Sequence, residues 1–64
     1  MTKEEAQSIL EQLRNKEIES YTVTKEDFLD FRSVLVAQDD VKSFRGNAQH
    51  GGAAIYTYEP GWTK

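Results

Sequence analysis

The stretch Phe44–Tyr58, Phe-Arg-Gly-Asn-Ala-Gln-His-Gly-Gly-Ala-Ala-Ile-Tyr-Thr-Tyr, constrains the fold most, because it holds three of the four glycines and two of the three tyrosines. Residues 53–58 have the β-branched and aromatic enrichment of a strand. His50-Gly51-Gly52 offers residues that turn cheaply at positive φ, and residues 44–49 supply a returning partner. A hairpin over 45–58 is therefore expected. Along its second strand, Ala53, Ile55 and Thr57 alternate with Ala54, Tyr56 and Tyr58. Ile55 argues for the first set facing the core, which predicts that both tyrosines face solvent beside Arg45, Asn47 and Gln49.

Two helical segments precede the hairpin. Ala6, Ile9, Leu10 and Leu13 recur at helical spacing, Thr2 and Glu5 form a capping-box pattern, and Arg14 and Lys16 suit the carboxyl end, so a helix is expected over 3–14. The second helix is expected over 25–36. Thr24 serves as its N-cap with Asp27 three residues on, and Val23 and Phe28 have the spacing of a hydrophobic staple. Phe28, Phe31, Val34 and Leu35 share one arc, and Leu29 with Val36 widens the apolar surface, as in a central helix. A competing reading makes Ser33–Ala37 a strand through Val34-Leu35-Val36; the continuous helical phase favours helix. Asp39 or Asp40 can cap a short third helix over 40–44 that ends at Gly46, with Val41 and Phe44 pointing inward. Tyr21–Val23 is the candidate for a short edge strand. In the tail, 59–64, Glu59-Pro60-Gly61 reads as a turn and Trp62 as a lid over the core.

These elements describe a single α+β domain over 1–64. A chain of this length buries only about 60% of the surface its unfolded form exposes. It has no cysteine for a covalent staple, and a lone His50 cannot build a structural zinc site, so the core or a second subunit must stabilise it. A homodimer is one form that takes. The charged start, Met1-Thr2-Lys3-Glu4-Glu5, lacks the apolar run of a secretory signal, and no stretch suggests a membrane span; a cytoplasmic protein without membrane contact is expected. The net charge of −3 is uneven, with ten acids and five bases in residues 1–40 but Lys42, Arg45 and Lys64 against Glu59 alone beyond them.

No enzymatic constellation is present. The glycines are not followed by the Lys and Ser or Thr of a phosphate loop, there is no thiol, and one imidazole has no partner of its kind. Glu26 and Asp30, four apart, read as a solvated helix edge, and neither a metal nor another cofactor is expected. The combination above background is Lys42, Arg45, Asn47, Gln49, His50, Tyr56 and Tyr58 around the glycine-rich hairpin. Cations neutralise phosphate, amides read base edges, and tyrosine rings stack on unpaired bases. The element order also resembles a compact winged helix, but Asp39 and Asp40 would meet a duplex with the wrong sign.

Lys25-Glu26-Asp27-Phe28-Leu29-Asp30-Phe31-Arg32, followed by Phe44-Arg45-Gly46, Ala48-Gln49, Gly51-Gly52 and Ile55-Tyr56-Thr57-Tyr58, resembles a family of very short, uncharacterised proteins of Gram-positive bacteria. Some of these carry an abortive phage infection label. The resemblance covers most of the chain and implies a role in phage defence or its regulation, but it identifies no active residue. The expectation is a non-catalytic protein interaction module, with an unknown protein partner, using the hairpin surface or the excess apolar area of the second helix. The alternative is a nucleic-acid binder, of single strands more than of duplex, through Lys42, Arg45, Tyr56 and Tyr58.

Overall fold

A computed structural model of the chain describes residues 1–61, so the expected Trp62 lid lies outside the described residues. The architecture is α+β, with two helices on one face of a three-stranded antiparallel sheet. Helix α1 (Lys3–Arg14) is followed by strand β1 (Tyr21–Val23), helix α2 (Phe28–Leu35), strand β2 (Phe44–Ala48) and strand β3 (Ala54–Tyr58). The strand order β1-β3-β2 puts β3 in the middle. Among the described residues, no helix is long and apolar enough to cross a membrane.

Helix α1 begins where its sequence says it should. The Thr2 hydroxyl accepts the Glu5 N–H at 3.1 Å, and the Thr2 N–H donates to the Glu5 carboxylate at 3.3 Å, so two of the otherwise unpaired amino-terminal donors are satisfied. Ala6, Leu10 and Leu13 are fully buried and Ile9 packs beside them. Lys16, at φ 62°, turns the chain away after the helix. Its ammonium donates to the Tyr58 carbonyl, which ties the end of α1 to the middle strand.

Helix α2 begins at Phe28, three residues later than expected. The Asp27 and Phe28 N–H groups close i→i−3 turns onto Thr24 and Lys25, and the Thr24 hydroxyl donates to the Asp27 carboxylate at 3.4 Å. Asp27 meanwhile accepts from the Met1 ammonium at 3.0 Å, so its carboxylate fastens the chain start to α2 and makes no cap bond. Nor is α2 central. Phe31 is fully buried and Leu35 nearly so, but Leu29 is 76% and Val36 55% exposed, which leaves the outer stripe of the helix wet. The expected third helix is a single 3-10 turn at Val41–Ser43, and its N-cap residue Asp40 makes no capping bond, because its carboxylate is engaged elsewhere.

The hairpin forms as its glycines allow. Gly51 and Gly52 take φ values of 79° and 86°, and their turn, with His50, joins β2 to β3. The side-chain polarity of the hairpin reverses the expectation. Tyr56 is 6% exposed and Ala54 is buried, and both lie on the helix side, whereas Ile55 and Thr57 belong to the opposite face. Two reasons combine. A tyrosine ring covers more apolar area than an isoleucine and reaches Phe31, whose ring centroid is 4.8 Å away. Its hydroxyl nevertheless reaches the rim, for no buried side-chain nitrogen or oxygen among the described residues lacks a partner. Because side chains alternate strictly, placing Tyr56 inside carries Tyr58 with it and turns Ile55 out. Tyr21 stacks on Phe31 at 6.3 Å and Phe44 meets Tyr58 edge-on at 4.9 Å, so the core is largely aromatic.

Candidate functional site

The residues expected to form one binding surface are divided between the two faces of the sheet. Tyr56 lies beneath the helices, and Tyr58, half-buried on the same side, donates its hydroxyl to Asp40 at 3.1 Å. Burial pushes the Tyr56 phenol above its ordinary pKa. Arg45 and Asn47 are exposed on the other face. With Ile55, Thr57 and Glu59 they line a shallow hollow of about 160 Å³, and Arg45 approaches the Glu59 carboxylate at 3.6 Å. Gln49 and His50 are exposed at the hairpin turn, and Lys42 is exposed in the 3-10 turn before β2. The structure therefore unites Arg45 and Asn47, leaves Lys42, Gln49 and His50 at the ends, and removes both tyrosines.

Asp40 is the hub of the strongest polar cluster. Arg14 grips it from α1 with two bonds of 2.7 Å, Tyr58 adds a third from β3, and Gln38 accepts from the same guanidinium at 3.0 Å. The Arg14 guanidinium holds the Asp40 carboxyl below its ordinary value, helped by the Tyr58 hydroxyl, while partial burial opposes both. Arg14 also lies over the Phe44 ring, 5.7 Å from its centre. Both Asp40 carboxylate oxygens are taken by groups of the same chain, so the cluster is a clasp between α1, the segment before β2 and β3. Among the described residues, no three of His, Cys, Asp and Glu stand together as metal ligands.

A feature that residue types alone conceal lies in the backbone of β2. The Gln49 N–H donates to the Ala53 carbonyl at 2.8 Å, and the Glu59 N–H to the Ser43 carbonyl at 2.7 Å. Opposed residues of an antiparallel pair alternate between bonded and non-bonded positions. With the register Arg45 to Thr57 and Asn47 to Ile55, these two bonds fix Arg45 and Asn47 as the residues that bond to β3. Gly46 and Ala48 consequently turn their N–H and C=O groups to the outer edge of the sheet, where both are exposed and no described residue pairs with them. Gly46 has its own structural reason. A Cβ there would stand 2.8 Å from Cε1 of Tyr56, so the ring can lie across β2 only because the residue is glycine.

No curated protein and no solved structure matches the chain. The sequence pattern of one family does, over residues 3–57, a span that takes in both helices and all three strands except the last residue of β3. The chain belongs to the YkzS-like protein family, a small bacterial family.

Proposed function

We propose that this chain is a cytoplasmic protein-binding module that takes up an extended segment of a partner along the edge of β2 and performs no chemistry. The observation that carries the reading is the pair Gly46 and Ala48, whose backbone donors and acceptors face outward from an exposed strand. An extended segment laid there gains main-chain hydrogen bonds, and its side chains on the outer face meet Arg45 and Asn47. The nucleic-acid reading draws less support. Tyr56 is buried on the helix side and the Tyr58 hydroxyl is given to Asp40, so neither hairpin tyrosine faces the side of the sheet that carries Arg45. The phage-defence setting implied by the family resemblance attaches to no residue of this edge, and the reading stands without it.

The test is a photo-crosslinking side chain in place of Asn47, used in cells with and without Ala48→Pro. Proline at 48 removes a donor that points away from β3, so the intrachain ladder survives while the edge is blocked. The expected result is a crosslinked protein that disappears with Ala48→Pro at unchanged thermal stability. Capture unaffected by the proline would overturn the proposal.

A further inference from the structure

The two edges of the sheet are not alike. β1 is only three residues long, a length that by itself discourages further pairing, whereas β2 has five residues, without a proline, a bulge or a charge pointing to the helix side. Edges of the second kind pair readily unless something covers them. The helical layer does not. Phe44 is buried under it, but Gly46 and Ala48, which share the face of Phe44, are exposed, so the helices stop short of the outer half of β2. A neighbouring strand can approach without meeting a helix.

Resting on the strand-addition reading, we infer that the segment added to β2 is the β2 strand of a second copy, antiparallel and centred on Gly46. The register is self-complementary. A two-fold axis through Gly46 sets Gly46 against Gly46 of the other copy, where the pair exchanges two hydrogen bonds, and Phe44 against Ala48, where the Ala48 N–H donates to the Phe44 carbonyl while the Phe44 N–H stays with Val41 of its own chain. On the outer face the same axis sets Arg45 opposite Asn47, a cation against an amide and not against its own kind. Each Arg45 also stands 3.6 Å from Glu59 of its own chain, which offsets the approach of the two guanidinium groups. On the helix side, the Tyr56 ring of each copy lies across its own Gly46, so the two rings flank the axis, and each exposed Ala48 meets the other copy's Phe44. Five residues of edge make a small interface, so association is weak and shows its concentration dependence well above trace levels.

Sedimentation equilibrium from micromolar to millimolar concentration tests this, together with NMR on a mixture of differently labelled chains. The expected result is an apparent mass rising towards twice that of one chain, with a contact between the Arg45 Hα of one chain and the Asn47 Hα of the other. Ala48→Pro should abolish both. A dimer that survives Ala48→Pro, or one lacking the Arg45 to Asn47 contact, would overturn the inference, and so would a mass of one chain throughout. A chain that stays monomeric yet still crosslinks a different protein from position 47, sensitively to Ala48→Pro, would overturn the second-copy partner alone and leave strand addition standing.

Discussion

The two faces of β3 differ by one residue of phase and are held to the molecule by quite different means. On the helix side, Ala54, Tyr56 and Tyr58 join Phe31, Phe44 and Tyr21 in a continuous aromatic core; on the other, Ile55 and Thr57 are half-buried among their strand neighbours, and no helix among the described residues covers them. A small sheet can bury only one face, and this one buries the side whose rings are largest and can still bring their hydroxyls to water or to Asp40. The aliphatic residue is the one left outside. Hydrophobicity alone ranks the two faces wrongly; area and the reach of the polar tip rank them correctly.

The contrast breaks first at Phe31. Phe31→Ala should cost about 3–5 kcal/mol, enough to unfold much of so small a domain, whereas Ile55→Ala should cost well under half of that. Urea denaturation of both variants checks the order, and equal losses would mean that the outer face is also covered. Next is the point where Tyr56 crosses β2. Gly46→Ala should destabilise by roughly 1–3 kcal/mol, because the ring must move away from a Cβ it cannot accommodate, and the near-ultraviolet dichroism of the tyrosines should change with it.

A smaller effect is expected at the clasp. Asp40→Asn should cost roughly 1 kcal/mol, since the Arg14 bonds are strong in geometry but partly solvated. Because the folded protein holds the Asp40 carboxyl below its unfolded value, this contribution is complete above the ordinary carboxylate range and is lost as pH falls through the depressed one. Thermal melts from neutral to strongly acidic pH should therefore show less acid sensitivity in Asp40→Asn than in the parent. The smallest effect belongs to Tyr56→Phe. Its ring does the packing and its hydroxyl sits at the rim, so stability should stay within about 0.5 kcal/mol. A loss above 2 kcal/mol would reveal a hydroxyl bond that the core depends on.

Much of this was legible in the residues. The capping box at Thr2 and Glu5, the face of Ala6, Leu10 and Leu13, and the glycine turn at Gly51 and Gly52 are local signals, and each forms where its local chemistry puts it. The short strand at Tyr21–Val23 and the α+β class also follow from pattern. What failed depends on partners far along the chain. The delayed start of α2 follows from Asp27 meeting Met1, the lost cap at Asp40 from Arg14 reaching across from α1, and the polarity of the hairpin from Phe31 waiting beneath Tyr56. None of these is a neighbour in sequence. One signal for that polarity does lie in the sequence: small residues at Gly46 and Ala48, alternating opposite Tyr56 and Ala54, mark the side on which a large ring needs room. The candidate site shifted accordingly, from a cluster of side chains to a row of backbone groups.

Amide hydrogen exchange along β2, in solution dilute enough to keep chains apart, tests the account most directly, because turning the strand over would exchange both its inward side chains and its bonded amides. The account predicts protected N–H groups at Arg45, Asn47 and Gln49, with Gly46 and Ala48 exchanging almost as fast as an unfolded chain. Protection at Gly46 and Ala48 with rapid exchange at Arg45 and Asn47 would contradict it, placing Arg45 under the helices and turning the amides of Arg45 and Asn47, not those of Gly46 and Ala48, to the edge.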